Sequence, residues 1–288
     1  MTADDGFFRS ATIIGLGLIG GSIARDLAAR GIRVRGYDAD RARLDLAVRE
    51  GIVSDALDDD FEGAGADVIV LAVPVDQAPG LLRRVARLAR SARLVTDVGS
   101  TKTSIVAEAR VLGLDACFVG AHPMAGDHRS GWGASRRDLF VDALVYLSPT
   151  SSVRTPVVEV ATHFWRLLGA TTCVMDASAH DRHVAWTSHL PHLVSTALGL
   201  ALASAGIGRD ALGPGGRDTT RLAGSSPEMW TAIATDNRAA LDEALASAER
   251  EVASFRAALR SGDAATVRER FASAQAWFDG ESPPRSAR

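Results

Sequence analysis

Gly15-Leu16-Gly17-Leu18-Ile19-Gly20 constrains this chain more than any other stretch. The apolar run Ala11-Thr12-Ile13-Ile14 leads into it, a helical pattern follows to Arg30, and Gly31 stops that helix. The next run, 32–37, alternates as a strand and ends at Asp38. Strand, Gly-x-Gly-x-x-Gly turn, helix, strand and acid is the dinucleotide-binding unit in its expected order. Two of the glycines let the backbone turn tightly and approach a pyrophosphate, and the third lets helix pack on strand. The helix N-terminus then offers unpaired N–H groups to the phosphates. Gly15, Gly17, Leu18, Ile19 and Gly20 are therefore candidate cofactor contacts. Asp38 lies 18 residues past Gly20, near the spacing of a carboxylate that bonds a ribose 2′-hydroxyl. Asp38 favours NAD because it repels a 2′-phosphate; Arg41 and Arg43 partly offset that repulsion and leave NADP open.

The alternation continues. A helix at 40–50 ends at Gly51, and 67–73 is a continuous apolar strand closed by Pro74, so Val73 and Pro74 join the cofactor candidates. Helices are expected at 78–90, 102–112 and about 155–168, with strands at 93–98, 117–121, 143–147 and 171–175. The fold expected is a Rossmann-type, doubly wound, mostly parallel α/β sheet over residues 1–176. After about residue 177 strand-like runs cease and the chain turns alanine- and leucine-rich. An all-α domain for substrate and dimerisation is expected over 177–280, with a disordered tail at 281–288. One helix, bent or interrupted at Pro191, is expected over 178–205. Gly213-Pro214-Gly215-Gly216 reads as a loop, and Ser226-Pro227-Glu228 as the start of a helix running to about Arg260. Within that helix Leu241, Leu245, Ala248, Val252, Phe255 and Leu259 form a heptad seam, which needs a partner in this chain or in a second subunit. A homodimer through the helical domain is the expectation.

Composition narrows the class. With 32 Lys+Arg against 35 Asp+Glu the net charge is -3, no basis for holding nucleic acid or an anionic membrane. The two cysteines, Cys117 and Cys173, sit in apolar runs and read as buried hydrophobes, not a disulfide framework. No signal-peptide pattern or membrane-length apolar run occurs, so a cytoplasmic enzyme is expected.

Among the 7 histidines, His122 stands before Pro123, which pushes it to extended geometry and places it at the tip of its strand. Ligands of open α/β sheets bind outside those strand ends, so His122 is the candidate catalytic residue. A neutral imidazole there can accept a hydroxyl proton. Ser100 either caps helix 102–112 or reaches the same crevice, toward substrate or cofactor. His180/His183 and His189/His192 are i,i+3 pairs, but no cysteine or carboxylate stands at ligand spacing, so no metal is expected. Arg221 is either paired with Asp218 or a clamp for a substrate carboxylate. Trp230 sits one turn into the last helix, as a core residue or a substrate contact.

Taken together, the Gly15 turn, Asp97-Val98-Gly99-Ser100-Thr101-Lys102, His122-Pro123-Met124-Ala125-Gly126, His180-Asp181, Ser188-His189-Leu190-Pro191-His192, the 213–221 stretch and Ser226-Pro227-Glu228-Met229-Trp230 resemble the prephenate/arogenate dehydrogenases of tyrosine biosynthesis. The resemblance runs from about residue 11 to 260. It implies NAD(P)-dependent oxidation of a ring hydroxyl with loss of the ring carboxylate. It implies His122 at the hydroxyl, helped by Ser100, and Arg221 and His192 on carboxylate or side-chain groups of prephenate or arogenate. Asp127-His128 departs from the Ser or Thr followed by Glu or His of many relatives. A carboxylate at Asp127 favours the ammonium of arogenate, if it faces the substrate. Relatives with a regulatory domain or a fused chorismate mutase need more chain than 288 residues, so any tyrosine feedback is expected at the active site.

Two rivals remain. A β-hydroxyacid or 6-phosphogluconate-type dehydrogenase shares the architecture but uses a lysine of its helical domain, and residues 177–288 contain none. A non-catalytic NAD sensor needs no reactive histidine.

Overall fold

The computed structural model describes residues 6–89, 91–126, 129–150 and 156–280. Its first sheet holds β1 (Ser10–Ile14), β2 (Arg33–Tyr37), β3 (Asp55–Ala56), β4 (Val68–Leu71) and β5 (Leu94–Asp97). These five strands are all parallel, in the order β3-β2-β1-β4-β5. Three helices interleave with them: α1 (Leu18–Ala28), α2 (Arg41–Arg49) and α3 (Ala78–Ala89). The strand cores read as unbroken apolar runs because both faces are covered. Val68 and Val70 of β4 enter one core with Ile23 and Leu27 of α1, while Ile69 and Leu71 enter the other with Leu82 and Val85 of α3.

Beyond α4 (Thr103–Val111) comes a second, three-stranded sheet of β6 (Val119–Pro123), β7 (Leu144–Pro149) and β8 (Thr171–Val174), with α5 (Pro156–Leu167) between β7 and β8. Among the described residues one bridge, Val95 to Phe118, joins the two sheets in parallel. β7 runs antiparallel to β6 and parallel to β8. His122 is not the strand tip expected from its proline. β6 continues through Pro123, and His122 pairs with Tyr146. An antiparallel neighbour permits this: Pro123 lacks an N–H, but an edge or end position of a ladder does not require one.

The helix expected over 178–205 is three pieces: α6 (Ala177–Val184), a π-helical turn (Ala185–His189) and α7 (Leu190–Ser204). The interruption comes just before Pro191, where a missing N–H and the ring's clash with the preceding turn would otherwise strain the helix. The expected 213–216 loop is instead largely helical, as α8 (Pro214–Thr219) capped by Gly213. The expected helix from Ser226 to Arg260 is two, α9 (Pro227–Asp236) and α10 (Arg238–Ser261), broken at Asn237. Ser226 does cap the first, accepting from the Met229 amide, and Gly262, at φ +70°, follows the second. A helix absent from the sequence reading, α11 (Ala264–Phe278), starts on an Asp263 cap.

By compactness the chain divides into residues 1–238 and 239–288. In the second body α10 and α11 form a hairpin, joined by Phe255 against Phe271 and by an ion pair of Glu251 with Arg270 at 2.7 Å. Along the heptad positions Leu241 is buried, but Val252 and Leu259 are each 68% exposed. Residues 281–288, where a disordered tail was expected, lie outside the described residues. Among the described residues no helix is long and apolar enough to cross a membrane.

Candidate active site

The glycine turn opens a cleft of about 720 Å³ lined by Gly15, Gly17, Asp38, Arg43, Val73 and Pro74 among others. Gly15 has φ +97°, and a Cβ there would lie 2.2 Å from the Ala72 carbonyl oxygen. At Gly20 a Cβ would lie 1.9 Å from the Gly15 oxygen, so helix and strand approach at backbone contact. Gly17 instead faces open space and begins α1 with no side-chain cap. Leu18 and Ile19 form the first turn behind it. Free amides at a helix start, beside a backbone that any side chain would obstruct, fit a pyrophosphate.

Asp38 is buried with its oxygens already engaged. It accepts from the Leu16 amide at 2.7 Å, the Asp40 amide at 2.9 Å and the Arg43 guanidinium at 3.0 and 3.1 Å. Arg41 turns away to Asp58. Of the two arginines weighed for offsetting the Asp38 charge, the structure gives that place to Arg43.

His122, His180, His183 and His189 gather one strand beyond β5. Val119 and Ala121 face the α1/α5 core, so by the period of two His122 leaves β6 on the opposite face, with Tyr146 of β7 beside it. α6 covers that face. His122 Nδ1 lies 2.9 Å from His180 Nε2, and His180 Nδ1 lies 2.8 Å from Asp181 Oδ1. Tyr146 Oη is 3.0 Å from His183 Nε2. Asp181 also accepts from the Lys102 and Thr103 amides at 2.8 and 2.9 Å. Those are orphan donors of the α4 N-terminus, so Asp181 fills the capping role considered for Ser100. Ser100 is half-buried between β5 and α4.

Below the cluster the buried Lys102 ammonium pairs with Asp97, which also accepts from the Gly99 amide at 2.8 Å and the Ala121 amide at 3.1 Å. Burial first, then the His180 ring and the Lys102 charge, push His122 well below the usual imidazole range. Burial works to raise the Asp181 carboxyl, but its hydrogen bonds to His180, Thr103 and Lys102 outweigh that and hold it low. His189 is lowered to about 4, chiefly by burial. Burial and the nearby Arg221 charge also lower His192, against a raising bond to the Ser188 carbonyl.

His192 stacks on Trp230, ring centroids 3.6 Å apart, which settles the Trp230 indole against an imidazole and not in the main core. Arg221 is exposed, and no ion pair joins it to Asp218 among the described residues, so the structural pairing weighed for them is not formed. Asp127 and His128 lie outside the described residues. Sequence reading missed Asn237 and Tyr146. An asparagine after Asp236 inside a helical pattern is a stop signal in retrospect. Tyr146 was signalled only by its register opposite His122.

A parallel sheet whose glycine turn feeds an uncapped helix, next to a buried imidazole cluster, defines a dinucleotide-binding oxidoreductase fold. Residues 23–174 match the prephenate dehydrogenase nucleotide-binding domain model, and residues 176–273 match the prephenate dehydrogenase dimerization domain model. The chain is 33% identical over 278 residues to a prephenate dehydrogenase of Bacillus subtilis, covering 93% of this chain and 75% of that protein. The crystal structure of prephenate dehydrogenase from Aquifex aeolicus with hydroxyphenyl propionate and NAD+ superposes with a TM-score of 0.82 at 28% identity, covering 91% of this chain and 94% of that one. Synechocystis arogenate dehydrogenase gives 0.78 at 29%, covering 95% and 100%. The chain belongs to the prephenate dehydrogenase family.

Proposed function

We propose that this chain oxidises prephenate to 4-hydroxyphenylpyruvate with NAD. The Gly15–Asp38 cleft would hold the dinucleotide, whose nicotinamide would supply the hydride acceptor for the ring carbon that bears the hydroxyl. His122 takes the hydroxyl proton, and the ring carboxylate leaves as carbon dioxide as the ring becomes aromatic. The observation that carries this reading is the His122 imidazole, held neutral in a buried cluster of a chain whose two halves both match the family. A neutral ring has its lone pair available at physiological pH.

In this reading Gly15, Gly17, Leu18, Ile19, Gly20, Asp38, Val73 and Pro74 hold the nucleotide, and Ser100 positions the hydroxyl. His192, Arg221 and Trp230 receive the carboxylate and side chain, with Asp218 nearby in sequence. The domain division is 1–176 for nucleotide and 177–280 for substrate and dimerisation. Two copies pair through the helical part, where Val252 and Leu259 stand exposed. Both cysteines are free thiols, the state a reducing cytoplasm maintains.

Arogenate is the second reading, favoured by the likeness to the Synechocystis arogenate dehydrogenase and by the charge of Asp127. NADH formation from prephenate and from arogenate, each with NAD and with NADP, tests both. The expected result is turnover with NAD and prephenate. No reduced nucleotide from either substrate would overturn the assignment and favour a sensor.

A further inference from the structure

We propose that His180 and Asp181 are positioning residues for His122: they set which ring nitrogen of His122 is left to accept a proton, and they supply the charge that balances it. This rests on the reading of His122 as the base.

An ionised carboxylate only accepts, so the 2.8 Å contact to Asp181 Oδ1 requires the proton of His180 on Nδ1. In the neutral ring His180 Nε2 is then an acceptor. The 2.9 Å contact to His122 Nδ1 therefore requires a proton on that nitrogen. His122 is left with its lone pair on Nε2, and each link is forced by the one before it. When the substrate O–H bond breaks, the proton bonds to His122 Nε2. The resulting positive charge is shared through the Nδ1–H with His180 and faces the Asp181 carboxylate.

The other charged and titratable groups around the pair do not provide that balance. Asp97, at the end of β5, is engaged by the Lys102 ammonium. Tyr146 from β7 binds His183 of α6. His189 from the π turn carries no negative charge, and burial keeps it neutral. Among the described residues the donors to Asp181 besides His180 are uncharged: the Lys102 and Thr103 amides and the Thr103 hydroxyl. α4 thus holds the carboxylate in place, and His180, with 0% exposure, has no freedom to turn away.

The test uses the full-length protein in three variants. In wild type, ¹⁵N NMR of the ring nitrogens is expected to show His122 protonated on Nδ1 and bare on Nε2. Asp181→Asn is expected to lower kcat about 10²–10⁴-fold with little change in KM, and to move the acid limb of kcat/KM to lower pH, since the anion that favours the protonated ring is gone. Because Asp181 also caps α4, His180→Gln serves as the variant that spares the cap. Its expected loss in kcat is about tenfold or more, because a glutamine oxygen accepts the His122 proton but cannot share the charge. His122→Asn is the control. If it keeps turnover, the base reading falls. If it loses turnover while both other variants fold, keep wild-type kcat and pH profile, and leave the His122 ring signals unchanged, the positioning proposal is overturned and the base reading stands. Should Asp181→Asn fail to fold, His180→Gln and the wild-type ring signals decide the matter.

Discussion

The side-chain amide nitrogen of Asn237 lies 3.1 Å from His189 Nδ1 while donating to the Asp181 carbonyl at 2.8 Å. An amide nitrogen only donates, so His189 Nδ1 accepts and its proton sits on Nε2. One side chain thereby ends α9, ties it to α6 and fixes a tautomer in the π turn. Asn237→Leu leaves the buried His189 Nδ1 unpaired, at a cost of about 1–3 kcal/mol, while the Asp181 carbonyl keeps the Ala185 amide. The expected result is a lower urea midpoint at unchanged m-value. A variant as stable as wild type would show that the break at 237 is held by something else.

Stability should also depend on pH through the buried imidazoles. His189 titrates at about 4 in the folded chain, chiefly because of burial, and near 6.5 when unfolded. Between those values the unfolded chain binds a proton that the folded chain does not. The stabilisation is complete above pH 6.5 and is lost as the pH falls toward 4, by roughly 3 kcal/mol for this group. His122, pushed down first by burial, acts in the same direction. Urea midpoints should drop between pH 7 and 5, less steeply in His189→Gln. A flat profile counts against neutral, buried rings.

Substitutions at the three turn glycines should separate folding from binding. Gly15→Ala and Gly20→Ala place a Cβ 2.2 and 1.9 Å from backbone oxygens, and neither is expected to give a folded protein at normal yield. Gly17→Ala meets nothing within 4 Å, so its melting temperature should stay within a few degrees. Its methyl group nevertheless enters the cleft, and NAD affinity measured by fluorescence titration should fall about tenfold or more, equivalent to about 1.4 kcal/mol. Unchanged affinity would place the nucleotide elsewhere.

Arg43 neutralises Asp38 at 3.0 Å and lines the same cleft. Arg43→Gln exposes the carboxylate charge, which a 2′-phosphate meets and a 2′-hydroxyl does not. The ratio of kcat/KM for NADP to that for NAD should fall about tenfold, with NAD use changed only a few-fold. An unaltered ratio would remove Arg43 from cofactor choice.

His122→Asn removes the proton acceptor without emptying the strand. Turnover should drop about 10²–10⁴-fold, and NAD binding by titration should be retained. Wild-type kcat in this variant would take His122 out of the reaction.

The parts of this fold that could be read in the sequence are those governed by local rules. The Gly15 turn, the runs flanking it and the change of character near residue 177 follow from periodicity and glycine placement. What escaped depended on distant partners. Nothing local distinguishes β7 from a parallel strand, because its direction is set by where the chain returns, not by its residues. The 226–260 pattern reads as one helix because the contacts of Asn237 with His189 and Asp181 span 48 and 56 residues. His122 was legible as a candidate, but its link to His180 crosses 58 residues and appears only once α6 lies over β6. The Asp38 reading was local, while the capture of Asp38 by Arg43 is a side-chain arrangement that spacing alone does not decide.

Among the described residues Val95 and Phe118 form the one backbone bridge between the two sheets. Five parallel strands with the glycine turn make the nucleotide module, and the three strands bearing the histidine are joined to it by that bridge, by the Ala121 amide on Asp97 and by one core that Val119 and Ala121 share with Ile13 and Val70. Neither side can vary on its own. A lineage that exchanged the reactive strand would have to repack the half that grips the nucleotide.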